Sequence, residues 1–465
     1  MPAGLPRTLG ELRAAGHQYR SVKEELRDNL LARMRSGEPR FPGIVGYDDT
    51  VLPEVERAIL AGHDMVLLGE RGQGKTRLIR TLVSLLDEWT PVIPGSELNE
   101  HPMNPITPAS RRQVEEAGDE QAVGWLHRSH RYGEKLATPD TSVGDLIGDV
   151  DPIRVAQGRT LGDPETIHFG LVPRTNRGIF AVNELPDLAE RIQVSLLNVL
   201  EERDIQVRGY QLRLPLDLLL VASANPEDYT NRGRIITPLK DRFGAEIRTH
   251  YPLDLELEIE LVRQEAGLVA NVPEHVVEVL ARFARAVRSS PAVDSRTGVS
   301  ARFAIAATET VAASALRRSG LLNEPEAVAR IGDAVSVTST LRGKVEFESG
   351  EEGREVEVLS HLLRTATAET FRSRLSGIDL SSFINLVNDG NIIETGDLVP
   401  SDEILRQVGT VPGLAKVLDR LDLGDAPGRG EAAAGVEFVL EGLHLTRRMS
   451  KALTAEGKTL YGSRE

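Results

Sequence analysis

Met65-Val-Leu-Leu-Gly-Glu-Arg-Gly-Gln-Gly-Lys-Thr76 is the stretch from which the fold can be read. Met65 to Leu68 form a short apolar strand pattern, Gly69, Gly72 and Gly74 a turn, and Leu78, Leu82 and Leu86 recur behind them at helical spacing. Gly69 to Thr76 fill every fixed position of Gly-x-x-x-x-Gly-Lys-Ser/Thr, in the strand-to-helix context that pattern requires. The residue types fit the chemistry. Glycines at 69, 72 and 74 let the backbone, Gln73 included, turn its amides inward around phosphates; Lys75 reaches the β and γ oxygens; Thr76 can ligate Mg²⁺; and the helix start adds positive potential. Gly457-Lys-Thr459 repeats the end of the motif, but Ala452 stands where its first glycine is needed.

A phosphate loop needs a neighbouring strand that ends in acids, one for the metal's water shell and one to activate the attacking water. Ile179-Phe-Ala-Val182 followed by Asn183 and Glu184 is the candidate. Glu184 fits the water-activating role, and Asn183 stands where an Asp is expected. A neutral amide there forgoes a charge worth about 1–4 kcal/mol beside Mg²⁺. If all of it appeared in the barrier, hydrolysis would slow by about 10- to 1,000-fold. Asn225, just after the apolar strand Leu218 to Ala222, can orient water beside the γ-phosphate. Arg242, in Asp241-Arg-Phe243, and Arg302, in Ser300-Ala-Arg302, gain weight as phosphate contacts once the loop is in place.

Outward from the loop, short apolar strands alternate with helical patterns, which predicts an α/β fold: a parallel sheet with helices on both faces. A hairpin is expected over Ile205 to Leu214, turning at Arg208 and Gly209. Residues 1–40 read as an N-terminal helical segment and 41–252 as the nucleotide-binding domain, with a polar, Pro- and Gly-rich insertion at about 97–151. Beyond Pro252 strand signals fade, so a helical lid domain is expected over 253–345. A helical C-terminal extension follows over 346–465, with a flexible linker at about 424–435.

The 465 residues exceed one ordinary hydrophobic core. A net charge of -15 opposes nonspecific association with nucleic acid or anionic membranes. Zero cysteines exclude disulfides, Cys-ligated zinc and thiol catalysis. Apolar runs fall far short of a membrane span, and Met1 to Arg20 lack a secretory apolar core, so a cytoplasmic location is expected. His127 and His130 are spaced one helical turn apart and could share a metal, but the flanking Arg128 and Arg131 repel a cation. Arg203, Arg208 and Arg213 read as a solvated face of the hairpin.

The motif order resembles the AAA+ ATPases, in the branch of the MoxR proteins and the ATPase subunit of magnesium chelatase. The likeness rests on Gly43-Ile-Val-Gly46, Gly69 to Thr76, Gly170-Leu-Val-Pro-Arg-Thr-Asn-Arg-Gly178 leading into Ile179 to Glu184, Ser223-Ala-Asn-Pro226, Asp241-Arg-Phe-Gly244 and Ser300-Ala-Arg302. By that resemblance the cofactors are ATP and Mg²⁺. Asn225 matches sensor 1, Arg242 the arginine finger and Arg302 sensor 2, and the hairpin matches the pre-sensor-1 hairpin. The resemblance also implies a homo-oligomeric ring, commonly a hexamer, and a partner with a von Willebrand factor A domain. Alternatives are an ATP-gated scaffold with little hydrolysis, motivated by Asn183, and a magnesium chelatase subunit in tetrapyrrole synthesis. A transcriptional enhancer-binding activator fits less well, because the chain has no Gly-Ala-Phe-Thr-Gly-Ala loop and no basic C-terminal helix-turn-helix pattern.

Overall fold

The computed structural model describes residues 4–151, 153, 156, 166–201, 204–207, 210–226, 234–294, 298–424, 427–455 and 457–463. They fall into two compact units, Met1–His250 and Tyr251–Glu465.

In the first unit, strands β1 (Met65–Leu68), β2 (Tyr132–Leu136), β3 (Gly178–Asn183), β4 (Leu218–Ala224) and β5 (Ala245–Arg248) form one parallel sheet in the order β5-β1-β4-β3-β2. Strand alternation feeds two apolar layers. Leu67, Ile179, Ala181 and Val221 pack with Leu26, Val55, Ile59 and Leu78 on one face. Val66, Phe180, Val182 and Leu220 pack with Ile192, Leu196 and Leu239 on the other. Burial on both faces is why β1, β3 and β4 read as continuous apolar runs. The expected α/β sheet with helices on both sides is therefore present.

The sequence boundaries shift in two places within this unit. The stretch 97–151, read as an insertion, contributes β2 to the core sheet. Its Tyr-Gly-Glu-Lys-Leu carries no apolar run because it lies at the sheet edge, where charged residues discourage further pairing. His127 ends a strand, Gly124–His127, and His130 closes a 3₁₀ turn, so the two histidines do not share a helix face. Residues 1–40 are no separate segment either, because Val22, Leu26 and Leu30 of helix Val22–Ser36 belong to the sheet's own core. That helix starts at a capping box, Ser21 accepting from Glu24 N at 3.3 Å while Glu24 Oε2 accepts from Ser21 N at 2.8 Å.

The hairpin appears as strands Asp204–Val207 and Tyr210–Arg213 in antiparallel register. Arg203, Arg208 and Gly209 lie outside the described residues.

The second unit is helical, with Leu255–Glu265, Glu274–Arg288, Arg302–Leu322, Glu355–Arg374 and Arg429–Leu445 as its longer helices. One apolar core runs through it from Ile259 to Tyr461, so packing does not follow the expected division at 345/346. Phe438 of the last of these helices lies 4.8 Å from the His275 ring and 6.2 Å from the Phe371 ring, between centroids. The extension is not wholly helical. Ile393–Thr395, Thr459–Gly462 and Ser450–Leu453 form a small antiparallel sheet whose strands are too short to leave a pattern. The expected linker at 424–435 is mostly the start of helix Arg429–Leu445, where Ala432 to Ala434 outweigh the flanking glycines and Ala433, Ala434 and Gly435 are buried. No helix among the described residues is long and apolar enough to cross a membrane.

One buried ion pair ties helix Val22–Ser36 to the sheet. Arg131, fully buried beside β2, donates two hydrogen bonds of 2.7 Å to the Glu25 carboxylate, which also accepts from Asp87 N at 2.7 Å. Burial alone would raise the Glu25 carboxyl. The hydrogen bonds and charge of Arg131 outweigh it, and the net shift is downward. A carboxylate with a lowered folded value contributes stability above its ordinary range and loses it as pH falls through the folded value. Glu25→Ala, which strands Arg131, is expected to cost about 3–5 kcal/mol in urea unfolding at neutral pH, a deficit that shrinks in acid. Glu25→Leu with Arg131→Met should recover most of it, and equal losses in the single and double variants would contradict the pairing argument.

Candidate nucleotide site

The parallel register places the loop. β1 pairs with β4 from Met65↔Val221 to Leu68↔Ala224, and Gly69 N donates to Ala224 O at 3.1 Å. The strand ends that carry Glu184 and Asn225 therefore open beside the loop, at the carboxyl edge where ligands bind open α/β sheets. Gly74 has φ 76°, a left-handed conformation that costs glycine nothing, and it launches helix Lys75–Thr81. At Gly69 the constraint is space: a Cβ would stand 1.9 Å from Thr249 Oγ1 and 2.3 Å from Gln73 Oε1.

Lys75 and Thr76 each meet an asparagine on a neighbouring strand. Lys75 is 7% exposed, and its Nζ donates to Gly69 O, to Glu70 O at 2.9 Å and to Asn225 Oδ1 at 2.8 Å. Asn225 Nδ2 in turn donates to Glu184 Oε2 at 2.6 Å. Thr76 Oγ1 approaches Asn183 Oδ1 at 3.4 Å, Ser223 Oγ donates to the same oxygen at 3.2 Å, and Asn183 Nδ2 donates to Glu134 Oε1 at 2.7 Å. Glu184 N donates to Ser223 Oγ at 3.3 Å, which joins Lys75, Thr76, Asn183, Glu184 and Asn225 into one hydrogen-bonded cluster.

Glu184 takes φ 56° and ψ 48°, a strained left-handed backbone for a residue with a Cβ. Such strain persists only where the surroundings over-determine it and is concentrated at functional sites. Here it turns the carboxylate out of the strand direction towards Asn225.

Gln73, named in the sequence for its backbone, also contributes its side chain, and Tyr47 and Glu134 escaped the sequence reading. Gln73 Oε1 accepts from Glu70 N at 3.0 Å and from Thr249 Oγ1 at 2.7 Å, which braces the loop from within. Tyr47, one residue after Gly43-Ile-Val-Gly46, donates to Gln73 O and lies 2.9 Å from His250 O; burial pushes its hydroxyl up to about 12, so it stays a donor. Glu134 on β2 receives Arg80 Nε at 2.8 Å and Tyr132 OH at 2.9 Å. The Arg80 hydrogen bond holds its carboxyl below the usual range against a smaller opposing effect of burial. Only the position of Tyr47 beside that glycine pair could have flagged any of these.

Arg242 is not among the residues hydrogen-bonded within this cluster. Arg242 ends the short helix Thr237–Arg242, is half-exposed, and pairs with Glu201 at the end of helix Glu190–Glu201. Arg302 opens helix Arg302–Leu322 of the second unit and is exposed.

A family model described as the Sigma-54 interaction domain matches residues 160–242. The magnesium-chelatase 38 kDa subunit of Cereibacter sphaeroides is 30% identical over 240 residues, covering 50% of this chain and 64% of that protein. The chain thus matches less than two thirds of that relative's length. The corresponding subunit of Acidiphilium rubrum is 27% identical over 354 residues, 72% of this chain and 90% of the relative. A structure of the magnesium chelatase complex of subunits BchI and BchD is similar at 22% identity, with a TM-score of 0.36 over 68% of this chain and 98% of the other. Sequence matches and phosphate-loop architecture together support an ATP-binding AAA+ ATPase. Within that class the two relatives named are magnesium-chelatase subunits, so the branch supported is the chelatase branch.

The tight fit at Gly69 yields a direct test. Gly69→Ala must displace Thr249 and Gln73, and overpacking of this kind costs about 1–3 kcal/mol. Thermal unfolding should show that loss, and fluorescence titration should show weakened binding of an ATP analogue. An unshifted melting temperature would mean that the brace from Thr249 to Gln73 is not rigid.

Proposed function

We propose that this chain is a ring-forming ATPase that binds and hydrolyses ATP to remodel or load a partner protein. The observation that carries the reading is the continuous path from Lys75 through Asn225 to Glu184. It links the cation that would hold the phosphates, the amide that would orient water and the carboxylate that would activate it. In this reading Asn225 aligns the attacking water with the Glu184 carboxylate, and Glu184 takes its proton as the γ-phosphoryl group leaves.

The donors near Thr76 suit Mg²⁺, since the Thr76 hydroxyl, the Asn183 amide oxygen and the Glu184 carboxylate are hard oxygen ligands. Thr76 would hold the cation directly and Asn183 its water shell. When bound, it would neutralise charge on the β- and γ-phosphates.

Arg242 acts in trans in this proposal. Its half-exposed guanidinium pairs with Glu201 at the unit's surface, a contact that a neighbouring subunit's triphosphate could replace. Arg302 is assigned the sensor 2 role, reporting the nucleotide to the helical unit. A hexameric ring and a von Willebrand factor A domain partner belong to this proposal through the family resemblance alone. A net charge of -15 argues against nucleic acid as the client, and a cytoplasmic site of action goes with the need for ATP. The relatives' names also support the narrower reading of a magnesium chelatase subunit, which recombinant chelation assays with a porphyrin and the cognate partner would test.

Phosphate release is expected to require Mg²⁺ and to vanish in Lys75→Ala. Arg242→Ala should bind ATP normally yet turn over about 1,000-fold more slowly or worse. Full turnover by Arg242→Ala as a monomer would end the ring proposal. The scaffold reading, motivated by the neutral Asn183, predicts instead that wild type assembles with ATP but releases phosphate no faster than Glu184→Gln.

A further inference from the structure

Asn183 is neutral where a carboxylate would be expected, but its amide is not free to choose which atom it presents. Glu134 on the adjacent strand β2 is an acceptor only, and it takes Nδ2 of Asn183 at 2.7 Å. The opposite end of the amide faces two hydroxyl donors, Thr76 Oγ1 at 3.4 Å and Ser223 Oγ at 3.2 Å. Only one orientation satisfies all four groups: nitrogen towards Glu134, oxygen towards Thr76 and Ser223. Glu134 is itself held in place, by Arg80 through Nε and Nη2 at 2.8 and 2.9 Å and by Tyr132 OH at 2.9 Å. Its side chain is 22% exposed while that of Arg80 is 62% exposed, so the carboxylate lies inward and its counterion outward.

We propose that Glu134 is a positioning residue for the nucleotide-bound cation, acting through Asn183. It fixes the Asn183 amide so that Oδ1 faces the Thr76 hydroxyl, and it polarises that oxygen through the Nδ2 hydrogen bond. The acid missing from the end of β3 is thereby moved one strand outward, to β2, and couples to the metal's water shell through an amide. Outer carboxylates that orient a ligand in this way are worth about 10- to 100-fold in metal affinity. Geometry also explains the pairing of residue types. An Asp at 183 would put two carboxylates 2.7 Å apart, where both cannot remain ionised without cost. Glu134 and Asn183 therefore form a matched pair.

The inference rests on the proposed Mg²⁺-ATP site, and one experiment separates the two. Binding of a non-hydrolysable ATP analogue to the full-length chain is measured by calorimetry in EDTA and in saturating magnesium, and the ratio of the two dissociation constants is the magnesium-dependent tightening. Glu134→Gln is expected to leave the EDTA value unchanged and to cut the ratio about tenfold. Arg80→Gln breaks the same ion pair but keeps the carboxylate, and should change the ratio by no more than about twofold. Asn183→Asp alone should gain no tightening and should lower the melting temperature, while Asn183→Asp with Glu134→Gln should restore the wild-type ratio or exceed it. An unchanged ratio in Glu134→Gln, an Arg80→Gln effect equal to that of Glu134→Gln, or full gain from Asn183→Asp alone would each overturn the positioning role. A wild-type chain that takes up no analogue in either buffer would overturn the nucleotide site itself.

Discussion

Hydrogen bonding between the parallel strands β1 and β4 is the constraint on which the site depends. It sets Leu68 opposite Ala224 and joins Gly69 N to Ala224 O, so Lys75 and Asn225, 150 residues apart in the chain, meet at 2.8 Å. A slip of one residue would turn every side chain of β1 to the opposite face. The alternation of β1 and β4 between two apolar layers forbids that slip, since each face already holds its complement of branched residues. Packing that has nothing to do with nucleotide thus fixes the site's spacing.

Two asparagines then do similar work side by side. Each turns its amide nitrogen to a carboxylate, Glu184 or Glu134, and its oxygen to a residue of the loop, Lys75 or Thr76. An amide has both a donor and an acceptor, so it can join an acid to a lysine or a hydroxyl in a buried place without adding charge. Buried charge is costly unless fully compensated, and this arrangement keeps the two carboxylates on separate strands with an amide between each and the loop.

The phosphate loop, its strand, and the strands that lead to Asn183 and Asn225 were legible in the sequence because these strands are buried along almost all their length. Period and composition reveal such strands directly. β2 was not legible, and Glu134 went unnoticed with it, because an edge strand of Tyr, Gly, Glu, Lys and Leu has neither an apolar run nor a clear alternation. Tyr132 and Glu134 point the same way along that strand, yet nothing local says what they face; only the pairing of Leu136 with Asn183 does. In the second unit the short strands Ile393–Thr395 and Ser450–Leu453 fell below any periodic signal, and an alanine run flanked by glycines read as a linker although it enters the core.

The apolar core that runs from Ile259 to Tyr461 has a consequence for inheritance. Because Phe438 and Tyr461 fill space beside helices formed far earlier, a premature stop codon in helix Arg429–Leu445 would open the second unit's core while leaving the first unit's two apolar layers intact. Gene fission or domain shuffling at a point inside this half would give two fragments, each with an open apolar face.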